Sequence, residues 1–318
     1  MIDFRYHLVS LIAVFLAVAL GIVIGTTQLN GPVLDNLQGQ VSDLQADKRD
    51  LEDQTQELQA QVEDVGAFEE AVGPTLVAGT LAERSVVLVL APGEVPAEVV
   101  EGVTALLGSA GATVTGTVRL TDAYTDPASA TSLQSYVTGP GRPPGITLPE
   151  TDDTGQLVAS LLAQVLMVPG PGSPTAGTVP DTAATSSVLA GLEELDVLSQ
   201  DTSSVSPADF AIVLTTGTLT GNAADEDRTT GLVQLAEALD AAGSGAVVAG
   251  DPASAGEGGL VAAVRGDQAV SSAVSTVDNV TTPAGRISAV LAVAAEGRGT
   301  SGEYGVGEDT QPVPAPAS

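Results

Sequence analysis

The apolar positions of this chain change period twice along its length, and each period predicts a different kind of element. From Leu8 to Ile24 the residues are uncharged and almost continuously apolar, and after a break at Gly31-Pro32 apolar residues recur from Leu34 in steps of three and four. The first run predicts a transmembrane helix. From Leu8 to Leu29 it would reach roughly 33 Å, against a hydrocarbon core of about 30 Å. The Leu, Ile, Val and Phe residues from Leu8 to Ile24 favour insertion by roughly 4 to 7 kcal/mol in sum. Within this run Ala13, Ala17, Gly21 and Gly25 recur every fourth residue, a stripe on which two helix backbones can approach closely.

The stepped pattern fits a heptad. Leu34, Val41 and Val62 take one seam position, a, and Leu37, Leu44, Leu51, Leu58 and Val65 the other, d. Lys48 and Thr55 occupy a positions, where polar residues lower stability and fix register, and Leu at d with Val at a favours two parallel strands. The expectation is a coiled-coil stalk joining a parallel homodimer or a higher oligomer through Leu37, Leu44, Leu51 and Leu58. A single amphipathic helix lying on its own globular domain is the alternative.

From Ser85 the period changes again. Ser85–Leu90 is a short continuous apolar run, followed by a helical stretch 96–107 and an alternating run 113–120, which together read as strand, helix, strand. Helices over 156–168, 188–195, 232–242 and 285–296 alternate with strands over 210–215 and 246–250, so the fold class is α/β with a mainly parallel sheet and helices on both faces. Residues 121–153 and 169–180 read as surface loops. The expected domains are a cytoplasmic tip and anchor (1–30), a stalk (31–72), an extracytoplasmic α/β domain (73–296) and a disordered Pro/Gly-rich tail (297–318).

Charge sets the expected orientation. Arg5 precedes the span, whereas Asp35, Asp43 and Asp47 follow it, so the positive-inside bias places Met1 in the cytoplasm and the main domain outside. Ala17-Val18-Ala19 also has the form of a signal-peptidase site, although the apolar run continues past it. Forty acidic residues against ten basic ones give a net charge of -30, and the bases are scattered rather than clustered, only Lys48 and Arg49 being adjacent, which argues against nucleic acid as a partner. The chain has no cysteine, so disulfides, thiol catalysis and thiolate metal sites are excluded.

Candidate chemistry is sparse. In an open parallel sheet ligands bind at the carboxyl ends of the strands, here the loops after Leu90, Leu120, Thr216 and Gly250. Those loops carry neither a G-x-G-x-x-G nor a phosphate loop, and the lone histidine, His7, sits at the anchor. Asp225-Glu226-Asp227 begins like a calcium loop but lacks its turn glycine and its bidentate Glu, and reads as a helix start. Asp122 and Asp251, each just past a strand, are the metal candidates if their strands are neighbours. Strand-end aspartates more often cap a following turn. No catalytic arrangement and no bound cofactor are expected, and the protein reads as a non-enzyme.

The opening run Met1 to Gly25, the coil from Leu34, the strand Ser85–Pro92 and the closing segments Ser275-Thr276-Val277-Asp278-Asn279 and Thr282-Pro283-Ala284-Gly285 are similar to the MctB family of actinobacterial copper transport proteins. The resemblance implies copper efflux or copper tolerance at the cell envelope, copper as the transported ion, and an outer-membrane pore as the alternative location. The residues themselves fit an envelope scaffold or sensor with a protein partner equally well. Cuprous ion prefers thiolate and thioether ligands, and the only methionines are Met1 and Met167, the latter in an apolar run that predicts core. A single helix encloses no pore.

Overall fold

The computed structural model describes residues 4–139, 142–143, 145–170, 181–202, 204–218 and 225–314, with the side chains of 26–35 and 225–227 outside the description. The chain divides into two units, Met1–Val65 and Gly66–Ser318.

The longest element is α1 (Phe4–Val77), 74 residues of continuous helix. The expected break at Gly31-Pro32 is absent from the backbone. A proline forfeits a single intrahelical hydrogen bond, and a long helix with strong flanking turns can absorb that loss. In the first unit, Phe4–Gly25 has a mean hydropathy of 2.9 and none of it is buried, as an apolar helix facing lipid requires. Ala13, Ala17, Gly21 and Gly25 share one face, and no atom lies within 4 Å of the Cβ positions of Gly21 and Gly25. Leu37, Leu44, Leu51 and Leu58 are each more than half exposed.

The second unit starts at Gly66 rather than at 73, because the last turns of α1 are part of its packing. Its elements in order are β1 (Ser85–Leu90), α2 (Ala97–Ala110), β2 (Thr113–Leu120), α3 (Ala130–Thr138), α4 (Thr154–Leu166), α5 (Thr182–Glu193), β3 (Leu198–Gln200), β4 (Phe210–Leu214), α6 (Asp225–Ala242), β5 (Ala246–Ala249), α7 (Leu260–Gly266), α8 (Gln268–Ser271), β6 (Ser275–Val277), α9 (Pro283–Glu296) and β7 (Glu303–Tyr304). The seven strands pair in the order β3-β2-β1-β4-β5-β6-β7, parallel except where β3 meets β2.

Period two sorts the two cores. Val87 and Val89 of β1, Ala211 and Val213 of β4, and Val248 of β5 face one cluster with α4 to α7, while Val86, Leu88, Leu90, Ile212 and Val247 face the other with α2, α9 and the end of α1. Burial on both faces is why these strands are continuous apolar runs. Met167 is buried in the first cluster, as its apolar surroundings predict.

One expected loop and the expected tail differ in the structure. Residues 121–153 contain two 3₁₀ turns and α3, whose Leu133 and Val137 are buried one helical turn apart. Two apolar residues among polar neighbours make too short a stripe to read as a helix. The expected disordered tail is folded as far as 314. β7 pairs with β6, Tyr304 is buried, Gln311 N–H donates to Glu303 O at 2.9 Å, and Ser288 Oγ donates to Pro312 O at 3.1 Å. A two-residue strand takes its stability from the edge it joins, which no local pattern reports. Residues 171–180 of the second expected loop lie outside the description.

Candidate functional site

The order of strands reverses between β1 and β4, and ligands of open α/β sheets bind beyond the carboxyl ends of the strands at such a switch point. Four turns form this edge: 91–94 after β1, 215–217 after β4, 250–254 after β5 and 278–282 after β6. Thr216 Oγ1 donates to Glu94 O at 2.9 Å and Ala91 N–H to Leu214 O at 2.8 Å, so the β1 and β4 turns are tied across the switch point.

Asp251 continues the tie. Its Oδ1 accepts Gly217 N–H and Ser254 N–H, both at 2.9 Å, and so caps the turn after β5 while holding the turn after β4. Gly250 permits this close packing, since a Cβ there would lie 2.0 Å from Ser254 Oγ. Asp122 stands at the end of β2, highly exposed, with Arg228 3.8 Å away. β1 and β4 lie between β2 and β5, so the two aspartates are not on neighbouring strands and the condition for a shared metal site is not met. Among the described residues no group of three or more His, Cys, Asp or Glu side chains is placed to hold a metal.

A third aspartate, Asp278, has the most elaborate surroundings. It is 1% exposed, accepts Val306 N–H at 2.7 Å and Gly307 N–H at 3.1 Å, and pairs with Arg265 Nη1 at 2.9 Å. Arg265 also donates to Thr276 Oγ1 and Tyr304 O, so one guanidinium joins β6 to β7 while the Asp278 carboxylate it pairs with holds the turn after β7. With these partners the carboxylate has little capacity left for a ligand. Asn279 Oδ1 and Thr215 Oγ1, at the ends of β6 and β4, are buried without hydrogen-bond partners.

The N-terminus of α9 completes this edge. Thr282 Oγ1 accepts Gly285 N–H at 3.1 Å, and Glu69 of α1 places Oε2 3.1 Å from Ala284 N. Arg286, one turn further on, pairs with Glu70 at 3.2 Å. A helix N-terminus attracts anions, and here the protein's own carboxylate fills that role.

At the opposite edge of the sheet Glu296, buried at the end of α9, accepts Ser275 N–H at 2.8 Å and a short hydrogen bond from Ser275 Oγ. Burial pushes its carboxyl up to about 8 despite the Ser275 hydrogen bonds, and neighbouring Asp240 adds to the rise. Burial likewise pushes Asp240 up to about 6, against the lowering effect of the Ala246 N–H. Neither group was evident from the sequence. Asp278 lies in the closing segment Ser275-Thr276-Val277-Asp278-Asn279, but its partner Arg265 carries no local signal.

The molecule thus defined is a protein with a lipid-suited apolar helix, a long exposed heptad helix, and an α/β unit whose strand-end polar groups are largely engaged in holding its own turns. The model of the family described as "Copper transport outer membrane protein, MctB" matches residues 1–315. The chain is 35% identical over 322 residues to a protein of Mycobacterium leprae named "Copper transporter MctB", covering 99% of this chain and 100% of that one. It is 32% identical over 316 residues to the proteins of that name in Mycobacterium tuberculosis and Mycobacterium bovis, covering 98% of this chain and 99% of theirs. The chain belongs to the MctB family.

Proposed function

We propose that this protein is a membrane-anchored envelope component of copper homeostasis, acting as a parallel dimer or higher oligomer rather than as an enzyme. The observation that carries the reading is the family match, which extends from the anchor through the α/β unit to residue 315. Its orientation is N-terminus in the cytoplasm and α/β unit outside, supported by Arg5 before the span and the acids after it. Pairing is supported by the exposed seam Leu37, Leu44, Leu51 and Leu58, by the small-residue stripe from Ala13 to Gly25, and by the need of a single span for further copies before it can surround an ion path.

A second reading has a specific observation behind it. Asp251 and Asp278 spend their carboxylates on turns of the same unit, and no metal cluster occurs among the described residues, which favours an envelope scaffold or sensor that supports copper tolerance through a protein partner. Deletion of the gene, with complementation by the wild type and by Leu51→Pro, tests both readings. The deletion strain is expected to be copper-sensitive with raised cell copper. A deletion strain with unchanged copper tolerance would remove the copper role, and full rescue by a monomeric Leu51→Pro protein would remove the oligomer.

A further inference from the structure

We propose that the dimer seam runs on past the stalk through Phe68, Val72 and Leu76, so that two copies of the α/β unit meet along the docked end of α1. This rests on the parallel pairing proposed above and extends it to a surface of the globular unit. Continued from Val65, the heptad places Glu69 at a, Val72 at d and Leu76 at a. The inner face of these turns is already used. Gly66 packs near Pro283, and a Cβ at Gly73 would lie 3.1 Å from Ile287 Cδ1. The outer face carries Phe68 at 67% and Leu76 at 57% exposure, with Val72 half-buried between them.

The polar seam residues are satisfied without a partner. Thr55 Oγ1 donates to Leu51 O at 2.7 Å, and Lys48 Nζ pairs with Glu52 at 3.2 Å. Glu69 is the one acid at an a or d position between 37 and 76, and two copies would bring like charges together there. Its Oε2 is instead bound to Ala284 N–H, which turns the charge toward α9, and exposed Phe68 presents an apolar ring beside the seam at that level.

The flanks identify the occupant as a second copy. In a chain of net charge -30 self-pairing is favoured by few acids at the e and g positions, which face the partner's flanks. Between 38 and 61 those positions are Gln38, Gln40, Gln45, Gln54, Gln59 and Gln61, with charge only at Asp47 and Glu52. Beyond 61 the g positions Phe68 and Thr75 are uncharged, the e positions Gly66 and Gly73 are taken up by the packing on α9, and Glu57, Glu63 and Asp64 lie on the outer positions. A basic partner would select acids at the flanks, whereas neutral flanks suit an acidic chain meeting itself.

The absence of cysteine makes the test direct. In a parallel in-register pair each a or d residue faces its own copy within disulfide reach. Val72→Cys and Leu76→Cys, the stalk variant Leu44→Cys and the outward-facing Ala67→Cys are made singly in the full-length protein, purified in detergent micelles and mildly oxidised. Val72→Cys and Leu76→Cys are expected to form covalent dimers about as fast as Leu44→Cys and on the order of tenfold faster than Ala67→Cys. Reduced variants that melt with the wild type keep the comparison valid. Rapid linkage at 44 with linkage at 72 and 76 no faster than at 67 would end the seam within the stalk and overturn the inference, leaving the dimer standing. Slow linkage at all of them would overturn the pairing itself.

Discussion

Glu69 Oε2 accepts the backbone N–H of Ala284 at 3.1 Å, a contact between residues 215 apart in sequence that caps α9 with a carboxylate from α1. Beside it Glu70 pairs with Arg286 at 3.2 Å, so two successive acids of α1 hold the start of α9. A charged cap satisfies an otherwise unpaired N–H and lies at the positive end of the helix dipole.

Glu69→Ala is therefore expected to lower stability by about 1 kcal/mol, within the range for lost N-terminal caps, and Glu69→Gln by less. Thermal unfolding of the full-length protein in detergent measures it. A Glu69→Ala protein that melts with the wild type would show the contact to be energetically neutral.

Asp278→Ala leaves Arg265, itself only 15% exposed, without its main counter-charge and frees two backbone donors of the turn after β7. Breaking a buried pair on one side costs about 3 to 5 kcal/mol. The expected result is a lowered melting temperature together with faster proteolysis in 299–312. Replacing both partners, Asp278→Asn with Arg265→Met, should recover part of the loss, and no recovery would show that the backbone contacts dominate.

Glu296 gives the α/β unit a pH dependence of defined sign. Its carboxyl is raised to about 8 by burial, so the folded state holds a proton that the unfolded chain releases near 4.5. Its stabilising contribution is complete below the unfolded value and is lost as pH rises toward 8. Asp240, raised to about 6, acts in the same direction over a lower range. Melting temperatures are expected to fall between pH 5 and 9, and Glu296→Gln to flatten the upper part of that slope. An unchanged slope in the variant would assign the effect elsewhere.

Copper ligation is expected to be weak. In the α/β unit the available groups are carboxylates and carbonyls, a hard set poorly matched to copper, Met167 is buried, and the lone imidazole, His7, lies in the anchor. Titrating the purified protein against a competing chelator should give no tighter binding than an acidic protein of equal charge. A stoichiometric site of nanomolar affinity would refute this.

The proposed topology rests on the charges around the span. A reporter active only outside the cytoplasm, fused after Glu70, is expected to be active. Inactivity there, with cytoplasmic labelling of the heptad segment, would reverse the orientation.

Some of this was determined by the sequence alone. The apolar run up to Ile24 and the heptad from Leu34 to Val65 fall within α1, and the strands read at 85–90, 113–120, 210–215 and 246–250 match β1, β2, β4 and β5 to within a residue, because each presents several residues of one period and requires no distant partner to be recognised. Only the tertiary structure decided the rest. β3, β6 and β7 have three or two residues and owe their extended backbone to the strands they join. The order of the sheet put β1 and β4 between the strands bearing Asp122 and Asp251, and it brought Arg265 to Asp278 and Glu69 to Ala284 across the fold. Periodicity records which face of a segment is buried, but not which other segment buries it, and these contacts depend on the second fact.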